Sequence, residues 1–260
     1  MGVVSFGLRG SGGNNHEHPN LSLLNSITAQ NGVLYLNSSA LLPPQVSGLL
    51  HWTEARFLLG HNESQRVPHL LNQSGGIVST QPNVNEQAIY RGNIAGGKPG
   101  LEFLGGQYYP FDFTSLAGNY YTFSFVEARK VGQTNYLLGN QGGSTNTGLH
   151  IGYVSSNQAR FAHFANDLDA NVETYSQPLN RVWVFSYNFR GFEIWLNRVR
   201  IGSRPNTQGL ISSTGGNFGR GHSWSCYIGI SPGFAVHLGS RTESEIQSLS
   251  DYWNSQYLVY

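Results

Sequence analysis

The chain has 260 residues, of which 11% are charged and 13% aromatic, with 33 glycines and a formal net charge of +1. This charge excludes the strongly basic surface that would attract nucleic acid or an anionic membrane, so neither is expected as a partner. No uninterrupted apolar run of about 18 residues is present, so we expect no membrane insertion. The composition is instead typical of many short β-strands joined by tight turns.

The first 47 residues differ from the rest of the chain. Residues 10–15 and 41–45 have loop composition, and Asn31-Gly32 predicts a turn into a short strand over residues 33–36. A flexible terminus is one interpretation. The other is an arm that becomes ordered against another subunit, which apolar residues favour because a free tail would leave them in water. These residues include Phe6, Leu8, Leu21, Leu23, Leu24 and Ile27.

The clearest strand signals lie in the second half of the chain. Residues 181–189 alternate large apolar side chains, residues 188–191 predict a turn, and residues 192–196 predict the returning strand. Asn197-Arg198 then has to turn without a glycine. Further strands are predicted over residues 120–128, 136–139, 149–154, 159–164 and 226–230. From this alternation we expect Phe123, Phe125, Trp183, Phe185 and Trp195 to lie in the core.

The C-terminus is predicted to be helical. Thr242 and Glu245 form a capping-box pattern. Four apolar residues then follow at helical spacing, namely Ile246, Leu249, Trp253 and Tyr257.

The order of turns and strands from residue 73 to residue 126 resembles that of a known family. Residues 50–55, Leu-His-Trp-Thr-Glu-Ala, and residues 70–75, Leu-Leu-Asn-Gln-Ser-Gly, resemble early segments of laminin-G-like domains in the concanavalin A-like lectin/glucanase superfamily. The resemblance covers about residues 49–260. It implies an all-β fold, a two-sheet antiparallel β-sandwich (jelly roll) over residues 48–260, with an N-terminal extended arm over residues 1–47 and a short C-terminal helix.

Such domains occur on secreted and virion surface proteins, and the cysteine content points to the second setting. Cys226 is the single cysteine, and the first residues do not read as a secretory signal. Both features suit a particle assembled in a reducing host cytoplasm. We therefore expect a virion surface protein of a bacteriophage, a decoration or tail adhesion module present in many copies or as a homo-oligomer. Its arm would contact other virion proteins, and its sandwich would bind host-surface polysaccharide; an extracellular location is the alternative.

No catalytic residues are predicted. Jelly-roll glucanases often place their carboxylates as Glu-Xaa-Asp-Xaa-Xaa-Glu on one strand, and this pattern is absent. The nearest approximation, residues 167–173, has the composition of a solvated loop. We expect a protein that is not an enzyme. Two alternatives stay open: a glycan hydrolase or lyase of the same fold, and a purely structural capsid or tail protein without a ligand.

Candidate ligand residues follow from the chemistry of sugars, whose rings offer apolar CH faces together with hydroxyl groups. Aromatic side chains beside amides on predicted loops suit both, and the candidates are Gln107, Tyr108, Tyr109, Tyr136 and Tyr175. No cofactor is expected apart from calcium, for which Asp167, Asp169 and Asn171 present oxygens at alternate positions. Cys226 is predicted to share one buried face with Trp224, Ile228 and Ile230.

Overall fold

A computed structural model describes residues 26–30, 33–37, 46–71, 79–205, 208–213, 215–221 and 225–260, with the backbone alone for residues 26–30, 33–37 and 59. These residues form the following elements: β1 (Ser26–Gln30), β2 (Val33–Asn37), β3 (Leu49–Glu54), β4 (Leu58–Leu59), β5 (His69–Leu70), β6 (Ser79–Thr80), β7 (Ile89–Ala95), β8 (Lys98–Leu104), β9 (Tyr109–Phe111), β10 (Tyr121–Arg129), β11 (Asn135–Gly139), β12 (Leu149–Ser155), β13 (Gln158–His163), β14 (Asp167–Asn171), β15 (Arg181–Asn188), β16 (Gly191–Leu196), β17 (Val199–Arg204), β18 (Gly216–Phe218), β19 (Ile228–Leu238) and α1 (Glu243–Tyr257).

Two large antiparallel sheets form the sandwich. The first has the order β17-β16-β15-β10-β19-β8-β7, and β3 pairs with the C-terminal half of β19. The second has the order β14-β13-β12-β11-β18-β9. Two small sheets, β1-β2-β4 and β5-β6, lie outside this pair. The predicted all-β sandwich with a C-terminal helix is therefore confirmed.

Aromatic side chains fill the space between the two sheets. Phe123 and Phe185 from the first sheet meet Phe161 and Phe218 from the second in one buried cluster. Many of these rings pack edge to face, the geometry that aromatic pairs favour. The predicted core positions are confirmed, and each of them is at most 2% exposed.

Helix α1 covers the outer face of the first sheet. Its capping box is present: the Thr242 hydroxyl accepts from the backbone of Glu245, whose side chain accepts from the Thr242 backbone. Trp253 packs against Val126 and Val182, while Ile246 and Leu249 pack against Val184 and Trp195. Because both faces of β10 and β15 are buried, these strands carry apolar residues on both sides.

Several local predictions are confirmed. Strands occupy the predicted positions over residues 120–128, 136–139, 149–154, 159–164, 181–189 and 192–196, with ends shifted by at most one residue. The turn between β16 and β17 places Asn197 and Arg198 at φ values of +47° and +73°. The Asn197 side chain compensates for the missing glycine, since its Oδ1 accepts from the Val182 backbone at 2.9 Å.

Two local predictions are wrong. The segment predicted as a solvated loop is strand β14, since residues 158–162 of β13 supply a complete pairing partner. Cys226 precedes β19 and is half-buried, and Ile228 and Ile230 are also half-buried, whereas Tyr227, Gly229 and Ser231 are buried. The buried face of this segment is therefore the opposite one from that predicted.

Most of the predicted arm lies outside the described residues, as do the turn at residues 72–75 and Trp224. The strand predicted over residues 33–36 is confirmed as β2. It pairs with β1 and, through Leu34 and Tyr35, with β4 of the same chain. None of the described helices is long and apolar enough to cross a membrane.

Candidate functional site

Gln107 and Tyr109 have structural roles. The Gln107 side chain accepts from the Leu104 backbone at 2.6 Å and donates to the Asn85 carbonyl at 3.2 Å, which holds the turn between β8 and β9. Tyr109 is fully buried, and its hydroxyl donates to the Val67 carbonyl at 2.5 Å. Burial also raises the pKa of this hydroxyl. The prediction that these two side chains face a ligand is corrected, because both side chains are buried and bonded within the chain.

Tyr108 and Tyr175 are half-buried and lie under arginines. The Arg220 guanidinium sits 3.4 Å from the centre of the Tyr108 ring, and that of Arg129 sits 5.4 Å from the Tyr175 ring. Both contacts have cation–π geometry. One face of each ring is thus covered within the chain.

Tyr136 and two of the predicted calcium ligands come together on the outer face of the second sheet. Cross-strand register places Tyr136, Gly152, Arg160 and Asp169 in one row. Gly152 has no side chain, so the Arg160 guanidinium reaches across it to hydrogen-bond the Tyr136 hydroxyl, whose pKa burial raises. Arg160 is also bidentate to Asp169, at 2.7 Å for both bonds, and contacts Asp167 at 2.9 Å.

This arrangement bears on the calcium prediction. The Asp167 and Asp169 carboxylates both face one guanidinium, which supplies the positive charge that a cation would otherwise supply. Asn171 lies exposed at the end of β14. Within the described ranges, no three histidine, cysteine, aspartate or glutamate side chains come together as a metal site. Calcium binding by these residues stays a prediction.

Two open recesses lie side by side at one end of the sandwich. The first, of about 410 Å³, is lined by Gly118, Asn119, Tyr120, Tyr187, Gly209, Leu210 and Ile211. The second, of about 370 Å³, is lined by Thr145, Asn146, Ala165, Asn166, Arg204, Pro205 and Gln208. Both volumes fall within the roughly 300–1,000 Å³ of small-molecule sites. We call this pair of recesses the loop-end site, since loops between strands build it.

Asn146 joins the two recesses. Its carbonyl accepts from the Ile211 backbone at 2.8 Å, and its backbone N–H lies 3.0 Å from the carbonyls of His163 and Phe164. Its side chain donates to Gln208 at 2.7 Å and accepts from Asn166 at 3.0 Å. This buried residue therefore fixes three loops relative to one another.

The first recess combines aromatic and aliphatic surface. Tyr120 is 40% exposed and Ile211 is 68% exposed. The Tyr120 ring lies 5.3 Å from the buried ring of Tyr187, measured between centroids. A hydrogen bond of 2.8 Å from the Gly118 backbone to the Leu210 carbonyl closes the side of the recess. The recess thus presents an aromatic face on a fixed backbone.

The second recess is polar. Strand β17 lies beside β14, so that Arg204 at its end donates from Nη1 to the Asp167 carbonyl at 2.5 Å. Asn146 and Ala165 both have φ of +62°, a conformation that side-chain-bearing residues rarely adopt. Such conformations concentrate at functional sites, where the surrounding structure has to hold them.

His163 lies behind both recesses and is fully buried. Its ring packs against Tyr187 at 5.0 Å and Phe192 at 4.5 Å, measured between centroids, and Nε2 bonds the Tyr121 hydroxyl. Burial lowers the pKa of this imidazole to about 3, so His163 is uncharged at neutral pH.

None of the eight residues predicted to bind a ligand or metal lines the loop-end site. Tyr120 was missed because it was assigned to the end of a predicted strand, where packing in the core is enough to explain an aromatic residue. Asn146, Asn166 and Gln208 are separated along the chain, and ordinary loops are also rich in such residues. The single available signal was the clustering of amides at strand ends, which does not indicate which ends meet.

No known protein family and no curated protein matches this chain. Solved structures do share its fold. Domain 4 of AbnA, an extracellular arabinanase from Geobacillus stearothermophilus in complex with arabinotriose, matches with a TM-score of 0.52 and 12% identity over 63% of this chain and 81% of that chain. A Trypanosoma rangeli sialidase in complex with sialic acid matches with a TM-score of 0.56 and 13% identity over 88% of this chain. The match spans 44% of the sialidase chain. At this identity the likeness shows a shared β-sandwich fold.

Proposed function

We propose that this protein is a carbohydrate-binding β-sandwich that holds a sugar chain at the loop-end site. The observation that carries the proposal is the exposed Tyr120 ring beside a cluster of amide side chains at one end of a rigid scaffold. An aromatic ring can pack on the CH face of a sugar while amides bond its hydroxyls. The named ligands of the two structural neighbours, arabinotriose and sialic acid, support the same class of ligand.

The lining supports binding rather than cleavage. Glycoside hydrolysis generally uses two carboxyl groups on either side of the scissile bond. The described residues that line the two recesses include no aspartate or glutamate. We therefore propose a protein that binds glycan without cleaving it. Incubation with a bound glycan should release no new reducing ends, and release of such ends would favour the hydrolase alternative.

The test is a glycan array probed with the full chain displayed on a tetrameric carrier, because several copies raise avidity by about 10²–10⁴ over a single domain. We expect Tyr120→Ala to weaken binding about tenfold, which corresponds to a loss of about 1.4 kcal/mol. The matched control is Tyr260→Ala, since Tyr260 is 49% exposed but lies at the C-terminus. Absence of any bound glycan, or equal binding by both variants, would contradict the proposal.

Location on a bacteriophage surface, membership of the laminin-G-like family and docking through residues 1–47 stay predictions of the sequence. Glycan binding at the loop-end site suits that setting, because an adhesion module has to contact a host surface. Incorporation of a chain lacking residues 1–47 into particles would test the arm. Unchanged incorporation would contradict its role.

A further inference from the structure

The second recess carries a positive charge that the described part of the chain does not neutralise. Most of the described arginines form ion pairs with carboxylates within 4.0 Å, as Arg160 and Arg190 do. Arg204 is exposed, and among the described residues its side chain donates to the uncharged carbonyl of Asp167. The Asp167 carboxylate beneath it is bound instead by Arg160 at 2.9 Å.

The position of this charge is fixed. The bond from Nη1 to the Asp167 carbonyl tethers the guanidinium at the mouth of the recess. An arginine has five N–H donors in a planar fork. The bond to the Asp167 carbonyl uses Nη1, and no other described residue is shown to accept from this side chain. A fork of this kind matches the two oxygens of a carboxylate better than it matches a sugar hydroxyl.

The other residues that line the second recess also favour an anionic ligand. Asn146, Asn166 and Gln208 are uncharged, and Thr145 adds a hydroxyl. The described residues of this lining include no aspartate or glutamate, and the Asp167 carboxylate near Arg204 is already paired with Arg160. The charge of an anionic ligand would be balanced by Arg204 at short range.

We propose that the loop-end site recognises an acidic sugar chain, with a sugar carboxylate bound by Arg204 in the second recess and a neighbouring sugar ring packed on Tyr120 in the first. This inference rests on the proposed carbohydrate-binding function and names its ligand class. The ligand spans at least two sugar units, because Tyr120 and Arg204 line different recesses.

The experiment measures the affinity of the full chain for a carboxylated oligosaccharide found on the array and for the same oligosaccharide after reduction of its carboxyl groups. We expect reduction to weaken binding by at least about tenfold. Arg204→Gln should weaken binding of the carboxylated form by a similar factor and leave that of the reduced form unchanged. Arg204→Lys should be intermediate, since it keeps the charge and loses the fork.

The control variant is Arg198→Gln, because Arg198 is also exposed but lies at the opposite end of β17, beside Asp251. It should bind both oligosaccharides as the unsubstituted chain does. Array binding restricted to neutral glycans, or an Arg204→Gln variant that still prefers the carboxylated form as strongly as the unsubstituted chain does, would overturn the acidic-sugar inference and leave carbohydrate binding intact. Binding restricted to sulfated glycans would overturn the assignment of a carboxylate. No bound glycan at all would overturn the proposed function itself.

Discussion

The Glu54 carboxylate accepts a hydrogen bond of 2.8 Å from the hydroxyl of Tyr257, which lies 203 positions later in the chain. It also accepts from Tyr252 at 2.9 Å and from Trp52 at 3.2 Å, and it pairs with Arg56 at 2.8 Å. The carboxylate is buried at the end of β3, and both tyrosines belong to α1. One side chain therefore fastens the helix to the beginning of the sandwich.

Tyr257→Phe should lower the free energy of unfolding by about 1–3 kcal/mol, because the buried carboxylate loses a donor that water cannot replace. Urea denaturation measures this loss, and hydrogen exchange should show faster exchange in α1 than in β10. Tyr260→Phe is the control, since this tyrosine is 49% exposed. Equal stability of the two variants would contradict the role of Glu54.

Gly152→Ala should destabilise the second sheet. A Cβ at this position would lie 2.4 Å from the carbonyl oxygen of Asn135 and 2.6 Å from Cα of Tyr136, both backbone atoms. Relief of such overlap typically costs about 1–3 kcal/mol. The control is Gly143→Ala, where the added carbon meets nothing within 4 Å. If Gly152→Ala unfolds at the same urea concentration as the control, the strands separate more easily than their register indicates.

Stability should fall as the pH falls below about 6.5. Burial lowers the pKa of His163 to about 3 and that of His237 to about 4, from the ordinary value of 6.5. The native state therefore stays neutral at these positions while the unfolded chain takes up protons, so the stability present above pH 6.5 is lost toward the native pKa values. At pH 5 each of these two histidines should lower the free energy of unfolding by about 2 kcal/mol.

Urea unfolding of His237→Gln at pH 7 and pH 5 checks this expectation. The variant should lose less stability between the two pH values than the unsubstituted chain does. A pH dependence that His237→Gln leaves unchanged would refute the assignment.

Asn146 allows its backbone and side-chain roles to be separated. Asn146→Gly keeps access to φ of +62° but loses the bonds to Gln208 and Asn166, whereas Asn146→Ala loses the bonds and also strains the backbone. We expect Asn146→Ala to be less stable than Asn146→Gly by about 1 kcal/mol. Both should bind glycan more weakly than the unsubstituted chain. Thermal melts and array binding measure the two effects, and greater stability of the alanine variant would show that the loop relaxes.

Much of the fold was predictable because its signals are local. Alternation over residues 181–196 predicted the β15–β16 hairpin, and Thr242 with Glu245 predicted the beginning of α1. The pairing of Trp183 with Leu196 follows from this pattern, since each hairpin strand has to turn its large side chains inward. The buried face around Cys226 was predicted wrongly because both faces of β19 carry residues of mixed polarity.

The sequence by itself determined the class of fold, since alternation, glycine-rich turns and one capped helix each act over a few neighbouring residues. Only the tertiary structure decided the site. Tyr120, Asn146, Arg204 and Ile211 become neighbours because the ends of β10, β12 and β17 and the segment over residues 208–211 meet at one end of the sandwich. Likewise, Asp167 and Asp169 acquired Arg160 as a partner through the register of β13 with β14. Contacts between residues distant in the chain depend on how the sheets pair and pack, and no short sequence window contains that information.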